Sequence, residues 1–248
     1  MSEQWPLKIA QITDCHLGPE PDYELNGQPV ESHLLRVLEA VRDWRPHLLV
    51  ATGDLTDFGD EAAYLRLNQH LNMVDVPVRV IPGNHDDGDV LARHLTGGRV
   101  ALTFDWHRPP WTLLFLDSLI PGFPDGRVSQ QELDRLAELG PAQLALVFVH
   151  HPPQPVGSDW IDAMGMRNGD DLLRVAEGLP GIQAIACGHV HHVYEDTSRH
   201  PAVLTTPSTS YQTLPVTPDF EVDTQPPGFR AFELYPDGQW TTHVTRVP

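Results

Sequence analysis

One local pattern constrains this chain more than any other: short apolar runs that end in Asp, Asn or His, most of them at a Gly or Pro turn. It recurs as Ile12-Thr13-Asp14-Cys15-His16, Ala51-Thr52-Gly53-Asp54-Leu55-Thr56-Asp57 and Pro82-Gly83-Asn84-His85-Asp86-Asp87. Later come Val149-His150-His151-Pro152-Pro153 and Cys187-Gly188-His189-Val190-His191-His192. Apolar runs of this length read as strands. In open α/β sheets, ligands collect in the crevice beyond the carboxyl ends of the strands. Loops of this kind therefore point to one shared site.

The remaining sequence supplies the other elements. Strands are expected at Leu7–Thr13, His47–Thr52, Val76–Ile81, Val100–Trp106, Trp111–Asp117, Leu144–His150, Ile182–Cys187, Ala202–Thr206, Phe229–Tyr235 and Trp240–Thr245. Helical spacing occupies Glu31–Trp44, Asp60–Met73, Ser129–Leu139 and Asp170–Glu177. Stripes such as Leu34/Leu35/Leu38 and Leu133/Leu136 form the core-facing sides. Ser129 and Glu132 read as a capping box, with Gly140-Pro141 as the stop. Strand and helix alternate in the first half, whereas the last part holds strands between Pro- and Gly-rich turns. The expected fold is α/β, two mixed sheets in a sandwich with helices outside and antiparallel C-terminal strands. One domain is expected over residues 1–248, with Pro201–Pro227 an ordered loop and not a linker.

The charge excludes some partners. Sixteen Lys and Arg face 34 Asp and Glu, a formal charge of −18. So acidic a surface repels nucleic-acid backbones, which need clustered cations. A small anionic substrate drawn in by bound metals remains compatible with it. No apolar run is long enough for a membrane span. The start, Met1-Ser2-Glu3-Gln4-Trp5-Pro6, lacks a signal-peptide pattern, so a cytoplasmic location is expected. A homodimer is compatible with the sequence but not specified by it. Cys15 and Cys187 are too few for a disulfide framework and read as small buried residues at strand ends.

Asp, Asn and His in this pattern suit two adjacent cations. A carboxylate can bridge both ions, imidazoles add ligands without charge, and one Asn carbonyl adds a neutral oxygen. Mixed nitrogen and oxygen donors favour Fe, Mn, Zn or Co over a Mg or Ca cage. Residues two apart on an extended strand share a face, so Asp14 and His16 point one way. Gly53, Gly83 and Gly188 each precede a candidate ligand and permit sharp turns or close approach.

The set Asp14-x-His16, Gly53-Asp54, Gly83-Asn84-His85-Asp86, His150 and Gly188-His189-x-His191 resembles the calcineurin-like metallophosphoesterase superfamily. The likeness runs almost end to end and is strongest to the bacterial class III cyclic-nucleotide phosphodiesterases. These carry similar "ATGDLT", "PGNHD", "CGHVH" and "TPST" segments, and a stretch like Ser158-Asp159-Trp160-Ile161-Asp162 followed by Arg167-Asn168. Glycerophosphodiesterases form a related branch. The resemblance implies a four-layer αββα sandwich. It also implies a first metal on Asp14, His16, Asp54 and His191 and a second on Asp54, Asn84, His150 and His189. Of the pair His150/His151, it selects His150.

The implied reaction is hydrolysis of 3′,5′-cyclic AMP to 5′-AMP by a hydroxide that the metals activate. The alternative is broader action on glycerophosphodiesters, other cyclic nucleotides or small phosphoesters. His16, Asp54, Asn84 and His191 would meet the phosphate along with the metals, and Arg167 and Asn168 are candidate contacts to phosphate or base. His85 is assigned to the leaving group, with Asp86 expected to orient it. Asp57 and Asp87 read as exposed turn carboxylates and His192 as a solvated loop residue. Ser208, Thr209 and Gln212 read as structural capping.

Overall fold

Residues Leu48–Thr52 are buried at every position, so this strand needs cover on both faces. Leu48 and Val50 pack with residues of a second sheet, whereas Leu49 and Ala51 pack under helices. That alternation is the period of a strand. A computed structural model, describing residues 5–102, 105–140 and 143–248, shows the same rule across the molecule.

The first half runs β1 (Leu7–Ile12), a short ribbon of β2 (Glu24–Leu25) and β3 (Gln28–Pro29), α1 (Val30–Trp44), β4 (Leu48–Thr52), α2 (Glu61–Asn72), β5 (Val78–Ile81), α3 (Gly88–His94) and β6 (Val100–Leu102). It continues with β7 (Asp105–Arg108), β8 (Trp111–Phe115), α4 (Gln130–Ala137), β9 (Leu144–Phe148), α5 (Asp159–Asp162), α6 (Gly169–Glu177) and β10 (Ile182–Cys187). Strands β11 (Glu195–Asp196), β12 (Ala202–Thr205), β13 (Gln212–Thr213), β14 (Val222–Asp223), β15 (Gly228–Leu234) and β16 (Trp240–Arg246) complete it.

One sheet has the order β16-β15-β1-β4-β5-β6 and the other β11-β12-β10-β9-β8-β7. The first sheet is parallel from β1 to β6 and antiparallel along β1-β15-β16, whereas the second has a parallel centre with antiparallel edges at β11 and β7. Ile9, Leu146, Phe148 and Phe232 lie in the apolar layer between the sheets. Residues of α1 and α2 cover the outer face of the first sheet, and those of α4 and α6 that of the second. The architecture is an αββα sandwich. A polar bond joins the sheets near their ends: Gln11 Nε2, which also donates to Thr52 Oγ1 on the adjacent strand, donates to the Cys187 carbonyl of the other sheet.

Several expectations need correction. The single strand foreseen at Val100–Trp106 is two strands in different sheets, β6 and β7. Thr103 and Phe104 between them lie outside the described residues, as does the Pro141 stop. Helix α3 was not foreseen; the Asp87 carboxylate caps it by accepting from Asp89 and Val90 N–H. Asp87 is thus a capping residue, not a plain turn carboxylate. The capping box at α4 is half made: Ser129 Oγ accepts from Glu132 N–H, but the Glu132 carboxylate turns to Arg135. The Pro-rich stretch is ordered, and contains β12 and the β13–β14 ribbon.

Candidate metal centre

Strands β1, β4, β5, β9 and β10 end where the sequence breaks into its Asp, Asn and His turns. Beyond those ends the backbone is strained. Asp14, His16, Asp54, His189 and His191 have φ of 53°, 47°, 48°, 72° and 56°. Left-handed backbone is costly for residues with a Cβ, and such strain collects at functional sites. Hydrogen bonds hold it in place. The Asp14 N–H donates to the Gly53 carbonyl, His16 N–H to the Asp54 carbonyl, and His189 N–H to the Asp14 carboxylate.

The side chains form two groups. In one, His16 Nε2 lies 3.1 Å from His191 Nε2, and Asp14 Oδ1 lies 3.5 Å from the same His191 nitrogen. In the other, His150 Nε2 lies 3.2 Å from Asn84 Oδ1 and 5.2 Å separates the His150 and His189 ring centroids. Asp54 Oδ2 stands between them, 3.3 Å from His150 Nε2 and 3.8 Å from His16 Nε2. Two glycines make the approach feasible. A Cβ on Gly83 would stand 2.3 Å from Asp54 Oδ1, and one on Gly53, at φ +90°, 2.5 Å from His150 Nδ1.

Each imidazole has one nitrogen tied to the protein. His16 Nδ1 bonds the Asp57 carboxylate at 2.9 Å, His150 Nδ1 donates to the Thr52 carbonyl, His189 Nε2 to Met164, and His191 Nδ1 to Tyr211. Anchoring of this kind fixes the ring and frees the other nitrogen for a metal. His151 differs. Its Nδ1 meets the Ser118 hydroxyl and its Nε2 the Pro124 carbonyl, so both nitrogens are occupied.

Charge points the same way. Asp14 and Asp54 are buried, and among the described residues neither pairs with Lys or Arg. Burial pushes the Asp14 carboxyl up to about 6 despite the neighbouring His150. Burial also opposes ionising Asp54, yet His150 and His16 hold it well below the usual carboxylate range. Burial disfavours charge on His150, but Asp54 and Asp14 outweigh it and push the imidazole up to about 9. His189 goes the other way; burial, then His150, lowers it to about 3. Carboxylates that draw protons onto neighbouring imidazoles hold a place for cations, because metal binding displaces such protons.

The calcineurin-like phosphoesterase family matches residues 7–193. The chain belongs to that family. It is 34% identical to a 3′,5′-cyclic-nucleotide phosphodiesterase of Nostoc, across 100% of this chain and 95% of the relative. It is 33% identical to the 3′,5′-cyclic adenosine monophosphate phosphodiesterase of Haemophilus influenzae, across 99% and 92%. A dimetal phosphatase from Danio rerio shares the fold, with a TM-score of 0.70 at 16% identity over 99% of this chain and 100% of that one. The family implies a dinuclear metal centre, and the clustered Asp and His residues offer ligand groups for it.

Around the ligand groups of this phosphoesterase, the structure redistributes several roles. Asp57, foreseen as exposed, has an almost fully covered carboxylate that meets His16 Nδ1, His85 Nδ1 at 3.3 Å, and the Tyr23 hydroxyl at 2.6 Å. Asp57 therefore orients His85, not Asp86. The Asp86 carboxylate faces away, accepting from Gly83, Leu55 and Thr56 N–H and from Tyr64 OH. Against the opposing effect of burial, Asp57 and Asp54 push His85 up to about 10.

Farther out, the Asn168 amide is committed to the Val128 backbone through both its oxygen and its nitrogen. These bonds tie the start of α6 to the segment before α4. Arg167 pairs with Asp125, lies over the Phe123 ring and lines a 290 Å³ cavity that also borders His189. His192 is buried with Nδ1 on Thr213 Oγ1, not solvated. Ser208 and Ser210 hydroxyls donate to the Asp14 carbonyl, bracing its left-handed turn. Cys15 and Cys187 are buried, and burial pushes the Cys15 thiol up to about 12. Tyr23 and Tyr211 were missed because nothing in their spacing marks them; Tyr23 reaches Asp57 across 34 residues of chain. No helix among the described residues is long and apolar enough to cross a membrane.

Proposed function

We propose that this chain is a dinuclear-metal phosphodiesterase that hydrolyses 3′,5′-cyclic AMP to 5′-AMP. The observation that carries the metal reading is the Asp54 carboxylate oxygen standing between two imidazole groups with no Lys or Arg beside it. Near-full-length relatives named as cyclic-nucleotide phosphodiesterases support the substrate.

Asp14, His16, Asp54 and His191 would hold one ion, and Asp54, Asn84, His150 and His189 the other. The donor set of nitrogen and oxygen suits Fe, Mn, Zn or Co. Bound there, the ions would supply Lewis acidity and a lowered pKa for water. The protein's own residues do the rest. Asn84 Oδ1 and the inward imidazole nitrogens would position the ions that receive the phosphate. His85 keeps Nδ1 on the Asp57 carbonyl and carboxylate, and its side chain is 42% exposed, which leaves Nε2 for a substrate. In hydrolysis the P–O3′ bond breaks, water oxygen joins phosphorus, and O3′ takes a proton. We assign that proton to His85 Nε2.

The acidic surface, at −18, fits a small anion captured by metals better than a polynucleotide. The test is a parallel assay of Mn-reconstituted protein on 3′,5′-cyclic AMP, 3′,5′-cyclic GMP, 2′,3′-cyclic AMP and glycerophosphodiesters. The highest kcat/KM is expected for 3′,5′-cyclic AMP. A clear preference for another substrate overturns the substrate while leaving a phosphodiesterase.

A further inference from the structure

The candidate centre can grip a phosphate, but the rest of a substrate needs a different kind of contact. Arg167, the arginine lining the adjacent cavity, is already paired with Asp125. A chain of formal charge −18 gains little by attracting an anion at long range. Neutral stacking would supply what charge does not.

We propose that Tyr211, Phe220 and Trp160 form a stacking subsite for the substrate's nucleobase, an inference that rests on the cyclic-nucleotide reading above and deepens it. The three rings make a continuous path outward from the centre. The Tyr211 ring lies 4.3 Å from that of His191 and 6.2 Å from that of His16. Phe220 follows at 6.1 Å from Tyr211 and stands edge-on to Trp160 at 5.1 Å. Trp160 begins α5 with Asp159, and Met164 just after that helix accepts from His189. The path thus spans the His189 and His191 sides of the centre.

Exposure singles out its outer end. Phe220 is 44% exposed and Val216 74%, both on the connection from β13 to β14, and Val222, which begins β14, is 40% exposed. Apolar side chains grouped in water on a polar loop have a cost that a ligand would relieve. The loop is not a free arm. Val216 N–H donates to Ser158 Oγ, Leu214 N–H to the Glu221 carbonyl, and Gln212 pairs with Asp223. These bonds tie it to the turn before α5, so Phe220 and Trp160 keep their relation. Among the described residues the Trp160 indole N–H is buried without an acceptor, so the ring, and not its N–H, is what the subsite offers.

The test compares two ligands with the same phosphate, 5′-AMP and ribose 5-phosphate, by titration calorimetry on Mn-loaded protein. Base–aromatic stacking predicts that 5′-AMP binds about tenfold more tightly or better. Phe220→Ala should bring the two within about twofold, leave ribose 5-phosphate affinity and Mn content unchanged, and raise KM for cyclic AMP more than it lowers kcat. Phe220→Trp should restore the preference. Equal binding of the two ligands by the wild type, or binding of neither, overturns the subsite. So does a preference that survives Phe220→Ala, or loss of affinity for both ligands together. If the wild type fails on cyclic AMP but keeps a Phe220-dependent preference for 5′-AMP, the substrate reading falls and the subsite stands.

Discussion

The two sheets meet the centre with different chemistry. From the ends of β1, β4 and β5 come Asp14, Asp54 and Asn84, with His16. From β9 and β10 come imidazoles alone: His150, His189 and His191. The carboxylates therefore come from one sheet, and only imidazoles from the other. Asp54 Oδ2, between His16 and His150, is where the two kinds of loop meet. A residue from the first sheet sets the electrostatics of the whole centre, and one from the second sets one side of it.

The sharpest way to break this contrast is Asp54→Ala. Loss of both metals is expected, with activity falling about a thousandfold or more. Metal content by mass spectrometry decides it, and near-full occupancy at either position would end the shared-carboxylate proposal. Next, His85→Ala should keep both metals and lower turnover of cyclic AMP about a hundredfold or more. An activated aryl phosphodiester, whose leaving group needs no proton, should lose much less. A collapse of metal content would move His85 into the ligand set.

Asp57→Asn removes the carboxylate shared by His16 and His85, with an expected loss of about 10- to 100-fold in activity or metal affinity. Titration with Mn against activity separates the two effects, and an unchanged variant would deny Asp57 its orienting role. Asp87→Ala should matter least. It uncaps α3 at a cost of about 1 kcal/mol, seen as a lowered Tm, with metal content intact. Loss of activity without loss of stability would show that Asp87 belongs to the centre.

Much of the fold is legible because alternation along strands and helical spacing are local. Leu48-Leu49-Val50-Ala51 is apolar at every position, as a strand covered on both faces must be. The division of 100–108 into two strands is not local, since both pieces are extended and only pairing with β5 or β8 separates them. Helix α3 is short, and its cap looks like any turn Asp. The candidate ligands stand out because several uncommon motifs recur at strand ends. Their supports do not, because Tyr23, Met164, Tyr211 and Thr52 contribute a hydroxyl or a backbone carbonyl that any spacing allows.

What the sequence determined by itself is the inventory: apolar runs that demand burial on two faces and end in Asp, Asn or His, three of them directly after Gly. The comparisons bear out the family to which that inventory belongs. Only the tertiary structure decided which nitrogen of each imidazole is tied and which is free, that Asp57 and not Asp86 holds His85, and that Asn168 bonds the Val128 backbone. The reason is physical. Residue type and periodicity are properties of neighbours in the chain, whereas a hydrogen bond from His191 to Tyr211, or from His85 to Asp57, exists only once distant loops have been brought together by the packed sheets beneath them.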